Sequence, residues 1–208
     1  MKLYDTARAP NPRRVRWVMA EKAITDIEIA SVDLMAGQHR SPEFRGLTGF
    51  SHVPVLVTDD GTALSESLAI CRYLEALYPR PSLFGAEPRA QAVIEMWTRR
   101  VEIYLANPLM LHVRFSHPAL SVLEPPEPGV GAYNLAMAER FMKALDRQLA
   151  AHPFVAGDGF SIADVVAVVG IDFGRLVRYR PPEGLAHLAR WLEDCRARPA
   201  AKLSLAAA

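Results

Sequence analysis

Three short stretches carry residue types suited to holding a small peptide-like anion and handling a proton. In "FSHVPVLVTDDGTALSESLAI", residues 50–70, a proline sits inside an apolar run, an Asp-Gly pair follows, and a helix opens at Ser65-Glu66-Ser67. A strand proline donates nothing to the ladder, so Pro54 belongs at an edge or a strand start. It equally suits a cis Val53-Pro54 bond, which turns the Val53 N–H and C=O outward, where another peptide can pair with them. Ser65 suits an N-cap, and Glu66 in the first turn offsets the helix dipole. The free N–H groups of that helix start also suit a carboxylate, with Ser67 adding a hydroxyl and Glu66 meeting an ammonium. Both readings of each residue stand at this level. Together they describe a clamp for a short peptide with a free amino-acid end.

The second stretch, "LYDTARAPNPRRVRW", holds Asn11 between two prolines. Its amide is either a hydrogen-bond donor to a reacting atom or the shaper of a turn. Arg13, Arg14 and Arg16 follow and read as a solvated helix face rather than a phosphate clamp. The third stretch, "LMLHVRFSHP", places His112 and Ser116 four residues apart, on one side of a helix. A lone histidine there is either packed or available to titrate. Ser161 and Asp164 in "FSIAD" have capping-box spacing, with Asp in place of the usual Glu or Gln, and read as structural.

The elements that must position these residues change character along the chain. "KLYD" is a short strand, "PRRVRWVMAEKA" an amphipathic helix with Val15, Val18, Met19 and Lys22 at helical spacing, and "DIEIASVD" an alternating strand showing Ile27, Ile29 and Ser31. "SPEFRGL" is a short helix with Ser41 as N-cap and Pro42 at its first position. "VPVLVTDDGTALS" is a hairpin turning at Asp60-Gly61. "ESLAICRYLEALY" is a helix with Leu68, Cys71, Leu74 and Leu77 inward. The order β-α-β-α-β-β-α specifies an α/β domain over residues 1–80. The Pro- and Gly-rich "PRPSLFGAEPRA" suggests a linker at 81–87. Helical patterns then run over about 88–116, 131–151, 161–178 and 184–197, so an all-α domain is expected over 88–208.

Composition narrows the classes. Half of the 208 residues are apolar and the formal charge is +1, which fits a globular protein and argues against a nucleic-acid binder. Cys71 and Cys195 form no CxxC pair, so no disulfide framework or zinc site is expected and a reducing cytoplasm suits the chain. "MKLYDTARAP" has no apolar signal core. "IADVVAVVGIDFGRLV" carries Asp164, Asp172 and Arg175 and falls short of the ~20 residues a membrane span needs, so no membrane contact is expected.

"LYDTARAPNPRRVRWVMAEK", "GQHRSPEF", "HVPVLVTDDGTALSESLAICRYLEALYP" and "FVAGDGFSIADVVAV", spread over nearly the full length, resemble the cytosolic glutathione transferases. The resemblance implies a thioredoxin-like α/β N-terminal domain and an all-α C-terminal domain. It implies glutathione as co-substrate, a small apolar electrophile, no metal and a homodimer. The reaction is attack of the glutathione thiolate, whose pKa of roughly 8.5 in a free thiol must be lowered. Val53, Glu66 and Ser67 are then the peptide edge and γ-glutamyl clamp, and Gln38, His39 and His52 the glycine-end contacts. His52 replaces the usual lysine before Val-Pro, which makes that contact pH-sensitive. Thr48-Gly49 replaces the common Asn-Pro. Ala9 stands where theta- and zeta-like members carry serine and cannot donate, which leaves Asn11, as in nu-like members. The chain also resembles fungal and bacterial members with a "YDTPxxPxPxRVR" start that lack the usual Tyr, Ser or Cys and work through a water held by the helical domain. His112 and Ser116 are the candidates for that role. An electrophile site is expected under helix 88–116, near Met96, Trp97, Tyr104, Met110 and Phe115. The alternatives are a glutathione-dependent disulfide reductase, which Asn11 favours, and a non-catalytic binding protein on the same fold, which Ala9 and His52 favour.

Overall fold

The structure is a computed structural model that describes residues 1–205. The chain divides into two compact units, Met1–Pro81 with the segment from Pro199 onward, and Ser82–Arg198.

In the first unit, strand β1 (Lys2–Asp5) runs parallel to β2 (Glu28–Ser31) and antiparallel to β3 (Val55–Val57), which pairs with β4 (Ala63–Leu64), giving the sheet order β2-β1-β3-β4. Helix α1 (Pro10–Glu21) makes the crossover that a parallel pair requires. Leu3 and Leu56 are register partners and fully buried on one face of the sheet. On the other face Tyr4, Val55, Val57 and Ala63 meet Phe44 and Leu47 of α2 (Pro42–Thr48), with Tyr4 and Phe44 edge to face. The Ser41 hydroxyl accepts from the Phe44 N–H at 3.1 Å and caps α2 as expected. The hairpin turns at Gly61, whose φ of 85° suits glycine, and leads into α3 (Ser67–Leu77).

Four expectations about this unit are corrected. Ile29 and Ser31 are exposed, because β2 is the edge strand, while Ala30 and Val32 turn inward. In α3, Ile70 is buried and Leu77 is not. Arg13, Arg14 and Arg16 are buried rather than solvated. Arg16 forms an ion pair with Asp5 at 2.5 Å and donates to the carbonyls of Ala7 at 2.8 Å and Ser204 at 3.0 Å. Arg13 donates to the Ser204 hydroxyl at 3.2 Å and lies over the Trp17 ring. The C-terminal stretch therefore does not belong wholly to the helical domain. Helix α9 (Pro199–Leu203) packs on α1, and Ser204 completes the arginines' partners. Buried Lys22 makes a similar closure, donating to the carbonyls of Tyr78 and Pro81 at 2.7 Å each and pairing with Glu75 at 2.6 Å.

The second unit is helical among the described residues: α4 (Pro88–Val101), a π-helical turn (Glu102–Ala106), α5 (Asn107–Ser116), α6 (Pro128–Ala151), α7 (Ile162–Phe173) and α8 (Ala186–Ala197). Leu83 and Phe84 are buried, and the Leu83 carbonyl accepts from Ile162 N–H at 3.0 Å. Helix α7 is apolar all round and buried from Ile162 through Ile171, as a central helix must be. At Gly170 it comes so close to the π turn that a Cβ would lie 2.7 Å from the Ala106 Cα. Its start carries the Ser161–Asp164 capping box. The Asp164 carboxylate accepts from Ser161 N–H, the Ser161 hydroxyl, Val155 N–H and Trp191 Nε1–H, at 2.8–3.0 Å. No helix among the described residues is long and apolar enough to cross a membrane.

Candidate functional site

Helix α3 begins at Ser67, so Glu66 and not Ser65 is its N-cap. Glu66 has φ 66° and ψ 115°, a backbone conformation that a residue with a Cβ adopts only at a cost. No side chain caps the helix, and the first helical bond runs from Ile70 N–H to the Glu66 carbonyl. The N–H groups ahead of it, from Ser67 to Ala69, therefore have no partner within the helix ladder. The Glu66 side chain is exposed beside them, and Ser67 is buried. The Ser67 hydroxyl accepts from Arg14 Nη1 at 3.3 Å. The sequence reading missed this contact, since nothing in a run of arginines marks the one that meets a serine 53 residues later.

The Val53-Pro54 bond is cis, and Val53 lies just ahead of the β3 ladder. His52 is exposed and stacks on Phe50, with ring centroids 6.2 Å apart. Gln38 and His39 share a short 3-10 turn, Gln38–Arg40. Gln38 Oε1 accepts from Asp33 N–H at 2.8 Å. His39 is buried, and its Nδ1 has no hydrogen-bond partner. Burial holds its pKa below the usual histidine value, and the nearby Arg40, His52 and Arg45 push it the same way. Asn11 is the second residue of α1, which also starts without a side-chain cap, at Ala9. The Asn11 Oδ1 is buried with no hydrogen-bond partner.

His112 and Ser116 lie in the second unit and are brought together there. His112 Nδ1 is 3.1 Å from the Gly131 carbonyl and 3.5 Å from the Ser116 hydroxyl. A carbonyl only accepts, so Nδ1 is the donor in this contact. A Cβ on Gly131 would lie 2.7 Å from the Ser116 Oγ, so glycine is what lets α6 approach this pair. Met96 and Tyr104 are exposed, Trp97, Met110 and Phe115 half-buried, and Tyr104 stacks on Phe141. A shallow hollow of about 310 Å³ near Tyr4, Val32 and Phe44 includes Gln38 alone of the expected residues. Of the expected residues, Glu66 and Ser67 lie together at the open start of α3. Among the described residues no cluster of His, Cys, Asp and Glu could hold a metal ion.

A family model for the glutathione S-transferase N-terminal domain matches residues 9–77, and one for the glutathione S-transferase C-terminal domain matches residues 115–199. The chain belongs to the glutathione S-transferase family. Glutathione S-transferase 2 of Saccharomyces cerevisiae is 34% identical over 207 residues, covering 97% of this chain and 88% of the yeast protein. Glutathione S-transferase 3 of Zea mays is 34% identical over 220 residues, covering 100% of this chain and 94% of the maize protein. The crystal structure of a glutathione S-transferase domain-containing protein from Marinobacter aquaeolei superposes with a TM-score of 0.92 at 38% identity, covering 97% of this chain and 100% of that one. The thioredoxin-like sheet and the helical unit are thus those of a glutathione S-transferase, a family of transferases.

Proposed function

We propose that the protein conjugates the thiolate of glutathione to a small apolar electrophile, as a cytoplasmic homodimer serving detoxification. The observation that carries this reading is the open start of α3, entered through Glu66 at positive φ, with the Ser67 hydroxyl buried beside it. An eleven-residue helix whose first turn no side chain closes is a ready anion site.

In this reading the γ-glutamyl carboxylate accepts from the Ser67 N–H and hydroxyl, and Glu66 meets the ammonium. The Val53 backbone pairs with the cysteinyl residue as a strand would. His39, His52 and Gln38 receive the glycyl carboxylate; the unpartnered His39 Nδ1 supports this. With Ala9 unable to donate, the start of α1 and the Asn11 amide lower the thiol pKa. His112 and Ser116, held together in the helical unit, are the candidates for taking up the thiol proton through a water. The homodimer is supported by large apolar side chains left exposed on each unit, Met35 and Phe50 on the first, Ile103 and Tyr133 on the second. The cytoplasmic placement is supported by Cys71, a buried thiol in no disulfide. Burial pushes the Cys71 thiol up to about 12, so it stays unreactive and does not compete with glutathione.

Calorimetry with glutathione tests the clamp. Ser67→Ala should weaken binding about 10-fold, the worth of one hydrogen bond to a charged group, and should also lower stability by roughly 1–3 kcal/mol because buried Arg14 Nη1 loses this acceptor. Unchanged affinity would remove the clamp. Thiolate absorbance across pH tests the activator: bound glutathione should ionise below its solution value, and Asn11→Ala should move the midpoint back up. Binding without that lowering would favour the non-catalytic reading.

A further inference from the structure

We infer that Arg14 is a positioning residue for the amino-acid carboxylate of glutathione, acting through the hydroxyl of Ser67. The inference rests on the clamp proposed above. A serine hydroxyl has one proton to donate and two lone pairs to accept with, whereas a guanidinium only donates. Arg14 Nη1 lies 3.3 Å from Ser67 Oγ, so in this pair the serine oxygen is the acceptor. One lone pair is thereby occupied from beneath the helix, and the hydroxyl proton is left for a group on the open side. Both side chains are buried, Arg14 at 2% and Ser67 at 5% exposure, so water does not compete for this geometry.

Arg14 comes from the second turn of α1 and Ser67 from the first residue of α3, two helices that pack against each other. The guanidinium also lies close enough to Cys71, one turn further along α3, to act on its thiol. Its place is therefore under the first turn of α3, on the side away from solvent. Because an arginine does not deprotonate at any ordinary pH, the hydroxyl keeps this orientation across the working range. A histidine or lysine there would make the orientation depend on pH.

A ligand pair separates this role from a purely structural one. Calorimetry is run with glutathione and with its analogue in which the γ-glutamyl α-carboxylate is an amide. The unsubstituted protein should prefer glutathione about 10-fold or more, as expected for a hydrogen bond to a charged acceptor. Arg14→Met should lose most of that preference by weakening glutathione while leaving the analogue nearly unchanged. Arg14→Lys, which keeps a donor, should recover part of it. In the Ser67→Ala background, Arg14→Met should have little further effect, because the two act on one contact. Urea denaturation checks that each variant is folded; if Arg14→Met is not, Arg14→Gln, uncharged and too short to span the gap, carries the same comparison. Equal weakening of both ligands, or effects of Arg14→Met and Ser67→Ala that multiply, would overturn the role of Arg14 and leave the clamp standing. No preference for glutathione in the unsubstituted protein would overturn the clamp, and this inference with it.

Discussion

The starts of α3 and α7 are built from the same residue types, a serine and an acidic residue, and use them in opposite ways. At α7 the Asp164 carboxylate turns back on its own helix start and also receives Val155 and Trp191; all of it is buried. At α3 the Glu66 carboxylate is exposed, the first N–H groups are left open, and the serine hydroxyl is steadied from behind by an arginine. The backbone agrees: Ser161 enters α7 in extended conformation, whereas Glu66 enters α3 at φ 66°. A polar helix start whose carboxylate closes on its own N–H groups is structural, whereas the start of α3, where the chain is bent to hold that carboxylate away, is the one proposed to bind. The bend at Glu66 costs stability.

The largest expected break in this comparison comes from Asp164→Ala. It leaves buried donors on Ser161, Val155 and Trp191 without an acceptor, at roughly 1–3 kcal/mol each. Urea denaturation should show a loss of about 3 kcal/mol or more, while whatever protein remains folded binds glutathione with unchanged affinity. Glu66→Gly should do the reverse. Relief of a strain of about 1–3 kcal/mol, less the ~0.4–1 kcal/mol by which glycine loosens the unfolded chain, should raise stability by about 1 kcal/mol. The same change should weaken glutathione binding about 10-fold through loss of the ammonium partner. A variant that is both less stable and still a full binder would erase the contrast between the two helix starts.

A smaller effect separates the two ends of the ligand. His39 has its pKa lowered in the free protein by burial and by neighbouring positive charge. A group depressed in this way adds stability above its unfolded-state pKa of about 6.5, and that stability is lost as pH falls through the folded value. A glycyl carboxylate beside His39 opposes the depression, so binding should take up protons below about pH 6.5. Calorimetry in buffers of different ionisation enthalpy should show that uptake, and His39→Gln should reduce it. Uptake unchanged by His39→Gln would move the glycyl contact away from His39.

Much of this arrangement was legible in the sequence because it is local. The Asp-Gly hairpin, the Ser41-Pro42 helix start and the Ser161–Asp164 capping box are set by residues within a few positions of one another, and each forms as expected. The cis bond at Val53-Pro54 was one of two open readings, and the Pro-containing run alone did not choose between them. The arginine cluster misled because periodicity treats charge as outward. Its partners Asp5, Ser67 and Ser204 are reached only through tertiary contact, and Ser204 lies 188 residues from Arg16. Leu77 and Ile29 misled for the opposite reason. Each has an inward type and spacing, but at a helix end or sheet edge there is no neighbour to cover it.

The return of the chain's far end to α1 has a consequence for synthesis. A ribosome releases residues 1–81 long before Ser204, and domains generally fold as they emerge. Until Ser204 arrives, Arg13 lacks the hydroxyl it donates to and Arg16 lacks one of its carbonyls. Those two partners are therefore missing from the first helix until the whole helical unit has been made. What is encoded first is finished last, and the order of translation is not the order in which the first unit gains its last contacts.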